Sequence, residues 1–295
     1  MLYMDHIDAL NTHDMSGFRP VFVAGREIGW MRHGVAERLA LIPGGVFEVG
    51  PFGVAIGGAA ASPDARTAAV AAALSPLIDE GLIPPRRGEL YPVVERWGEP
   101  VLFALDRAHV AALGVRAFGV HINGFVRRPD GLHMWIARRA DDRTVAPGRL
   151  DNMVAGGQAV GLGLMENVLK ECAEEAGLTP DVAGGARPAG LVSYCVETAL
   201  GLKPDTLFVF DLELPESIVP DNQDGEIQAF MLWPIERVLE TLREPDAFKF
   251  NVPHVILDFA VRHGVLTPDD TPEYARIATG LRRVPVCFHP SPERA

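Results

Sequence analysis

The chain has 295 residues, 48% hydrophobic and 22% charged, with a formal net charge of −12, so it has the composition of one large or two ordinary globular domains rather than of a disordered chain. Its acidic balance, with only short basic pairs such as Arg86-Arg87 and Arg282-Arg283, argues against nucleic acid as a partner. No apolar run reaches the roughly 18 residues of a membrane span, and the opening segment lacks the basic-then-apolar order of a signal peptide, so a cytoplasmic protein with no membrane partner is expected.

Residues 1–18 read as a polar lead-in compatible with a helix. From Arg19 to Gly58, short apolar runs (Val21 to Val23, Val46 to Val49, Val54 to Ile56) alternate with glycines and predict strands joined by tight turns. Gly44-Gly45 and Gly57-Gly58 lack the setting of a phosphate loop and are read as turns. Ser62-Pro63-Asp64 has the order of a helix start, and the helix that follows towards Gly81 should kink or end at Pro76. Glu89 to Glu95 and Val101 to Leu105 read as strands and Arg107 to Leu113 as a short helix, which makes residues 1–115 a small α+β domain.

A second domain is expected over residues 116–295. Phe118 to Arg127 and His133 to Arg139 predict a hairpin about the turn Pro129-Asp130-Gly131. A glycine-bearing loop, Pro147 to Gly157, leads into a charged helix ending at Gly177. Strands are expected at Gly190 to Glu197 and Thr206 to Leu214, separated by Lys203-Pro204-Asp205, and at Ile227 to Trp233. Ile235 to Leu242 and Val252 to His263 have helical spacing. The three cysteines, Cys172, Cys195 and Cys287, show neither paired nor histidine-containing spacing, so they are expected to be buried apolar residues rather than a disulfide framework or a zinc site.

The segment that carries chemistry runs from Gly156 to Leu178. At ~100° per residue, Glu171, Glu174 and Glu175 fall on one helix face. Like charges so placed repel, and a divalent cation converts that repulsion into ligation. Hard oxygen donors without Cys or His suit Mg²⁺ or Mn²⁺. Glu166, Lys170 and Glu174 are each one turn apart and predict an ion-pair ladder, in which Lys170 orients the glutamates as a point charge. Taken alone, such a run is an ordinary solvated acidic face.

The whole pattern resembles the Nudix box, G-x5-E-x7-R-E-U-x-E-E-x-G-U, with U aliphatic. Gly156, Glu171, Glu174, Glu175, Gly177 and Leu178 fall at its offsets, while Leu162 stands at its first glutamate and Lys170 at its arginine. The run Pro147 to Gly157, with Glu95-Arg96-Trp97, Asp224 to Phe230, Phe248 to Asn251 and Asp258 to Gly264, resembles a Nudix subfamily that carries an extra N-terminal domain and is related to thiamine pyrophosphokinase-associated proteins. The resemblance implies an α/β/α sandwich with a mixed sheet and metal-dependent hydrolysis of a phosphoanhydride bond in a small diphosphate, including thiamine diphosphate or its oxidised analogues. It also implies that Gly156 lends a carbonyl to the metal beside Glu171, Glu174 and Glu175, and that a glutamate beyond the box completes the site.

Glu226, in an acidic loop before a strand, is the candidate for that glutamate and, with Glu171, for the base; Glu213 and Glu197 are weaker choices. Trp97 is a candidate to stack on a substrate ring, and Arg127 and Lys249 to reach a phosphate. The extra domain is expected to serve the substrate pocket or a homodimer. The competing reading is a non-catalytic metabolite sensor on the same scaffold, suggested by Leu162 and Lys170.

Overall fold

The computed structural model describes residues 1–57 and 62–283; Gly58 and Cys287 lie outside the described residues. The lead-in contains a helix, α1 (Tyr3–Ala9). Alternation at Val21, Val23, Ile28 and Met31, all fully buried, then makes one covered sheet face. β1 (Phe18–Val23) and β2 (Arg26–Arg32) form a hairpin, followed by α2 (His33–Ala40), β3 (Phe47–Gly50) and β4 (Gly53–Ile56). β4 returns parallel to β1, giving the order β2-β1-β4-β3. α3 (Pro63–Asp79) covers this sheet with Val70, Leu74 and Leu77. Ser62 Oγ caps it by accepting from the Ala65 amide at 3.2 Å. The helix runs on to Asp79 despite Pro76, the carbonyl of which still accepts from the Glu80 amide. β5 (Leu90–Val93) and β6 (Phe103–Asp106) form a separate ribbon, and a 3₁₀ turn leads into α4 (Val110–Leu113).

The remaining strands build one mixed sheet. In chain order these are β7 (Phe118–Arg128), β8 (Gly131–Arg139), β9 (Leu150–Asn152), β10 (Val154–Gly157), then α5 (Leu164–Ala176), α6 (Pro180–Ala183), β11 (Arg187–Thr198), β12 (Gly201–Glu213), β13 (Ile227–Pro234), α7 (Ile235–Thr241), α8 (Val252–Arg262) and α9 (Tyr274–Gly280). The sheet runs β11-β12-β7-β8-β13, with β10 on β7 and β9 on β8. β7 and β8 pair only between Phe125–Arg128 and Gly131–Met134, and the splayed remainder takes in β9 and β10. α5 packs on one face, through Val168, Cys172 and Ala176 against Val120, Ile122 and Val154. α7, α8 and α9 cover the other face, giving the α/β/α sandwich.

Lys203-Pro204-Asp205 does not break the chain, contrary to the sequence expectation, but lies inside β12 opposite Tyr194, Cys195 and Val196. β7 joins β12 only from Thr206 onward, so Pro204 sits where one side of the strand has no ladder to lose. α1, with Leu10 just after it, packs the buried Tyr3, Met4, Ile7 and Leu10 with Val255, Phe259 and Ile277. By packing, the first ten residues therefore belong to the mixed-sheet unit, although the sequence reading groups them with residues 11–115.

Candidate active site

α5 gets its rotation from Val168, Cys172 and Ala176, which lie at successive i, i+4 positions and are buried. Glu171 and Glu175 consequently lie at the margin of the buried face, while Glu174 points outward. Gly163 begins the helix, and its amide donates to Glu166 Oε2 at 2.7 Å. This corrects the ladder expected from spacing: Glu166 closes the N-terminal turn, and Lys170 pairs forward, with Glu174 at 2.6 Å and Glu171 at 3.1 Å. The helix ends at Gly177 with φ of 63°, the left-handed cap that favours glycine.

Glu171 lies against Gly156 of β10, where a Cβ would stand 2.2 Å from its Cδ. Only glycine leaves the carboxyl that room. On the same strand, the Ala155 amide donates to Glu175 at 3.0 Å. Burial raises the pKa of both carboxyls, well above the ordinary range for Glu175, against the lowering by Lys170 at Glu171 and by the Ala155 amide at Glu175. Against the lowering by burial, Glu174 and Glu171 hold the Lys170 ammonium above its usual value. Among the described residues no three His, Cys, Asp or Glu groups converge as a ready metal cluster. The donors nonetheless fit a hard divalent cation chemically, because two buried carboxyls flanking one strand gain from a neighbouring positive charge.

Other candidates separate sharply. Lys249 stays near the site: it pairs with Asp151 at 3.1 Å, and both act electrostatically on Glu175. Although burial raises it, Lys249, His121 and Arg139 hold the Asp151 carboxyl down. Trp97 is wedged between Phe118 and Phe208, each ring 5.0 Å away, and keeps 39% exposure. Arg127 is corrected, because it pairs with Glu213 and lies seven residues beyond Val120, the partner of Gly156, hence about 23 Å along the strand. Glu226 pairs with Arg143 at 2.6 Å at the entrance to β13. Glu197 is occupied by Arg32 at 2.9 Å.

Of the polar groups that frame β10, sequence reasoning weighs His121 and Asn123 only as remote substrate contacts and misses that Asn152 joins them. His121 bonds Asn152 at 2.8 Å and Asn152 bonds Asn123 at 3.0 Å, all buried, and burial drives the His121 imidazole down to about 4. The sequence reading expected the strand that forms β5 but not its closeness to the box, where the Val160 amide donates to the Leu90 carbonyl at 2.9 Å and Glu89 contributes to raising Glu171.

With this geometry established, residues 2–117 match a domain of unknown function, DUF4743. A protein of Arabidopsis thaliana named Nudix hydrolase 20, chloroplastic, is 43% identical over 209 residues, covering 71% of this chain and 56% of that protein. Nudix hydrolase 24, chloroplastic, from the same organism is 34% identical over 284 residues, covering 95% of this chain and 77% of that protein. The chain belongs to the Nudix hydrolase family. A solved structure from Deinococcus radiodurans shares 23% identity over 57% of this chain and 96% of its own, with a TM-score of 0.43.

The Nudix loop before α5 is tied down despite Leu162. Gln158 Nε2 donates to the Leu162 carbonyl at 2.7 Å, and Asn167 Nδ2 to the Gly157 carbonyl at 2.9 Å. Backbone acceptors thus fix the loop where the box pattern has its first glutamate.

Proposed function

We propose that this chain is a divalent-metal-dependent hydrolase that cleaves a phosphoanhydride bond in a small diphosphate metabolite, with thiamine diphosphate or its oxidised analogues the first substrates to test. The observation that carries the reading is the placement of Glu171 and Glu175 as buried carboxyls flanking the Gly156 strand, with Glu174 and Lys170 at their rim. Glu171, Glu174, Glu175 and the Gly156 carbonyl would hold Mg²⁺ or Mn²⁺. The cation supplies neutralisation of the diphosphate and a lowered pKa for water. Lys170 restrains Glu171 and Glu174, and Glu171 takes the proton of the attacking water. The products are a monophosphate and either orthophosphate or the other phosphorylated half.

The test is release of phosphate and monophosphate across a diphosphate library with Mg²⁺ or Mn²⁺, for the wild type and for Glu174→Gln and Glu175→Gln. Each substitution should lower kcat at least ~100-fold, since a lost ligand charge forfeits several kcal/mol. Near-wild-type turnover in both would remove the metal-site reading. The sensor alternative draws on one observation, that Glu226 is committed to Arg143; saturable binding of a diphosphate with no turnover under any metal would favour it.

A further inference from the structure

We propose that the His121 imidazole is a specificity-determining contact: its Nε2, kept as a hydrogen-bond acceptor by a relay anchored on Asp211, reads an N–H or O–H donor on the organic half of the substrate. The inference rests on the diphosphate reading above and deepens it, because it concerns the part of the substrate that the carboxylates do not hold. Its first support is the direction of the relay. Asp211 is held by Arg262 through both oxygens, at 2.6 and 3.0 Å, and by His263 at 2.7 Å, and as a carboxylate it can only accept. Asn123 must then turn its Nδ2 to Asp211, at 3.1 Å. That leaves Asn123 Oδ1 to accept from Asn152 Nδ2 at 3.0 Å, and Asn152 Oδ1 to accept from His121 Nδ1 at 2.8 Å. Each amide has one orientation that serves both neighbours, so the proton of the neutral ring sits on Nδ1 and Nε2 carries the lone pair.

The second support is the free end of that relay. Asn123 and Asn152 are buried, and His121 keeps only 3% exposure. Its Nε2 has no hydrogen-bond partner among the described residues, yet unlike the ring nitrogens of His254 it is not sealed from solvent. A buried polar chain that ends on an uncovered acceptor is completed by a donor from outside. Burial first, and then the Lys249 ammonium, drives the ring down to about 4, so the acceptor persists at neutral pH.

Position links this acceptor to the carboxylates. Gly156, against which Glu171 lies, pairs with Val120 on the face that α5 covers, whereas His121 pairs with Ala155. Alternation therefore puts the imidazole on the opposite face of the sheet. The two sites nonetheless share a residue, because the Ala155 amide is the donor that Glu175 accepts from. β10 pairs with β7 alone, so what separates Glu175 from His121 is a single strand with one edge free of a strand partner. A substrate with its diphosphate at the carboxylates brings its organic half round that edge to Nε2.

The experiment uses the full-length chain. Nitrogen NMR of labelled histidine in the unliganded wild type should show His121 protonated at Nδ1 and bare at Nε2; the other tautomer would overturn the proposal. Saturation with the monophosphate product of the best substrate should move the Nε2 resonance, and inorganic phosphate should leave it in place. An Nε2 resonance that ignores the monophosphate would overturn the proposal too. His121→Phe, which keeps a flat ring and removes the acceptor, should raise KM for that substrate roughly tenfold or more, as for a covered donor left without a partner. The Kd of inorganic pyrophosphate with Mg²⁺, a probe with no organic half, should not change. Wild-type KM would count against the proposal, and an equal rise in both constants would make His121 a strut of the sheet. The wild-type spectra decide the matter if His121→Phe does not fold. A chain that hydrolyses no diphosphate, yet whose Nε2 responds to the tightest-binding one, would overturn the hydrolase reading and support this one; hydrolysis with a silent Nε2 would do the reverse.

Discussion

Lys170 stands where the box pattern has an arginine, and it contacts Glu171 and Glu174 through one ammonium. A point charge restrains both carboxylates without the planar fork of a guanidinium. Lys170→Arg should therefore keep most of the activity and Lys170→Met should lose most of it while folding; normal turnover in Lys170→Met would reduce the residue to a surface charge. A second residue gives a stability test. His254 is fully buried, neither ring nitrogen has a hydrogen-bond partner among the described residues, and burial, then His6 and Arg283, press it down to about 3. The unfolded chain binds this proton near pH 6.5 and the folded chain does not, so stability is whole above pH 6.5 and falls as pH drops towards 3. The slope from this group approaches ~1.4 kcal/mol per pH unit below 6.5. His254→Leu should flatten that part of the pH profile in denaturant melts; an unchanged difference between the two proteins from pH 7 to pH 4 would contradict the assignment. Residue types and offsets made the three glutamates legible in advance. The same offsets misplaced Glu166, because a free backbone amide at a helix start competes successfully with a lysine one turn away.

At the scale of elements, most strands and helices follow from apolar period and punctuation, as with α3 after Ser62 and β7–β8 around Asp130-Gly131. The failures have a common cause. Pro204 is a turn signal only where both strand edges need donors, and the pairing partner of β12 is decided by β7, more than 70 residues away. Arg127 has suitable chemistry, but strand register settles how far it lies from Gly156. The carboxylate helix depends on its C-terminal cap. At Gly177 a Cβ would meet the Asp221 carbonyl at 2.9 Å in a left-handed conformation. Gly177→Ala should therefore cost about 1 kcal/mol or more, measured by urea melts. An unchanged midpoint would show that the loop carrying Asp221 yields freely.

At the scale of the whole molecule, the mixed-sheet core is closed by the first helix. Ile7 is fully buried among residues of α8 and α9, so Ile7→Ala should destabilise the mixed-sheet unit by about 2–5 kcal/mol. A chain cut to begin near Val115 keeps every proposed metal ligand but loses Tyr3, Met4, Ile7 and Leu10. It should bind an apolar dye and unfold at lower urea than the full chain; an equally stable truncation would show that α1 adds nothing to the core. The sequence reading missed this because a seven-residue helix shows too few apolar positions for its period to stand out, and its partners lie at the far end of the chain.

The docking of α1 also sets an order of events during synthesis. At ~5–20 residues per second, the apolar face of α1 leaves the ribosome about 15–60 seconds before α9, the last element it packs against, has been made. Through that interval β1 to β6 can assemble their own core, while Tyr3, Met4 and Ile7 remain without one. The apolar face of α1 thus stays uncovered for most of the time taken to synthesise the segment from α1 to α9, and holding chaperones have a natural target there.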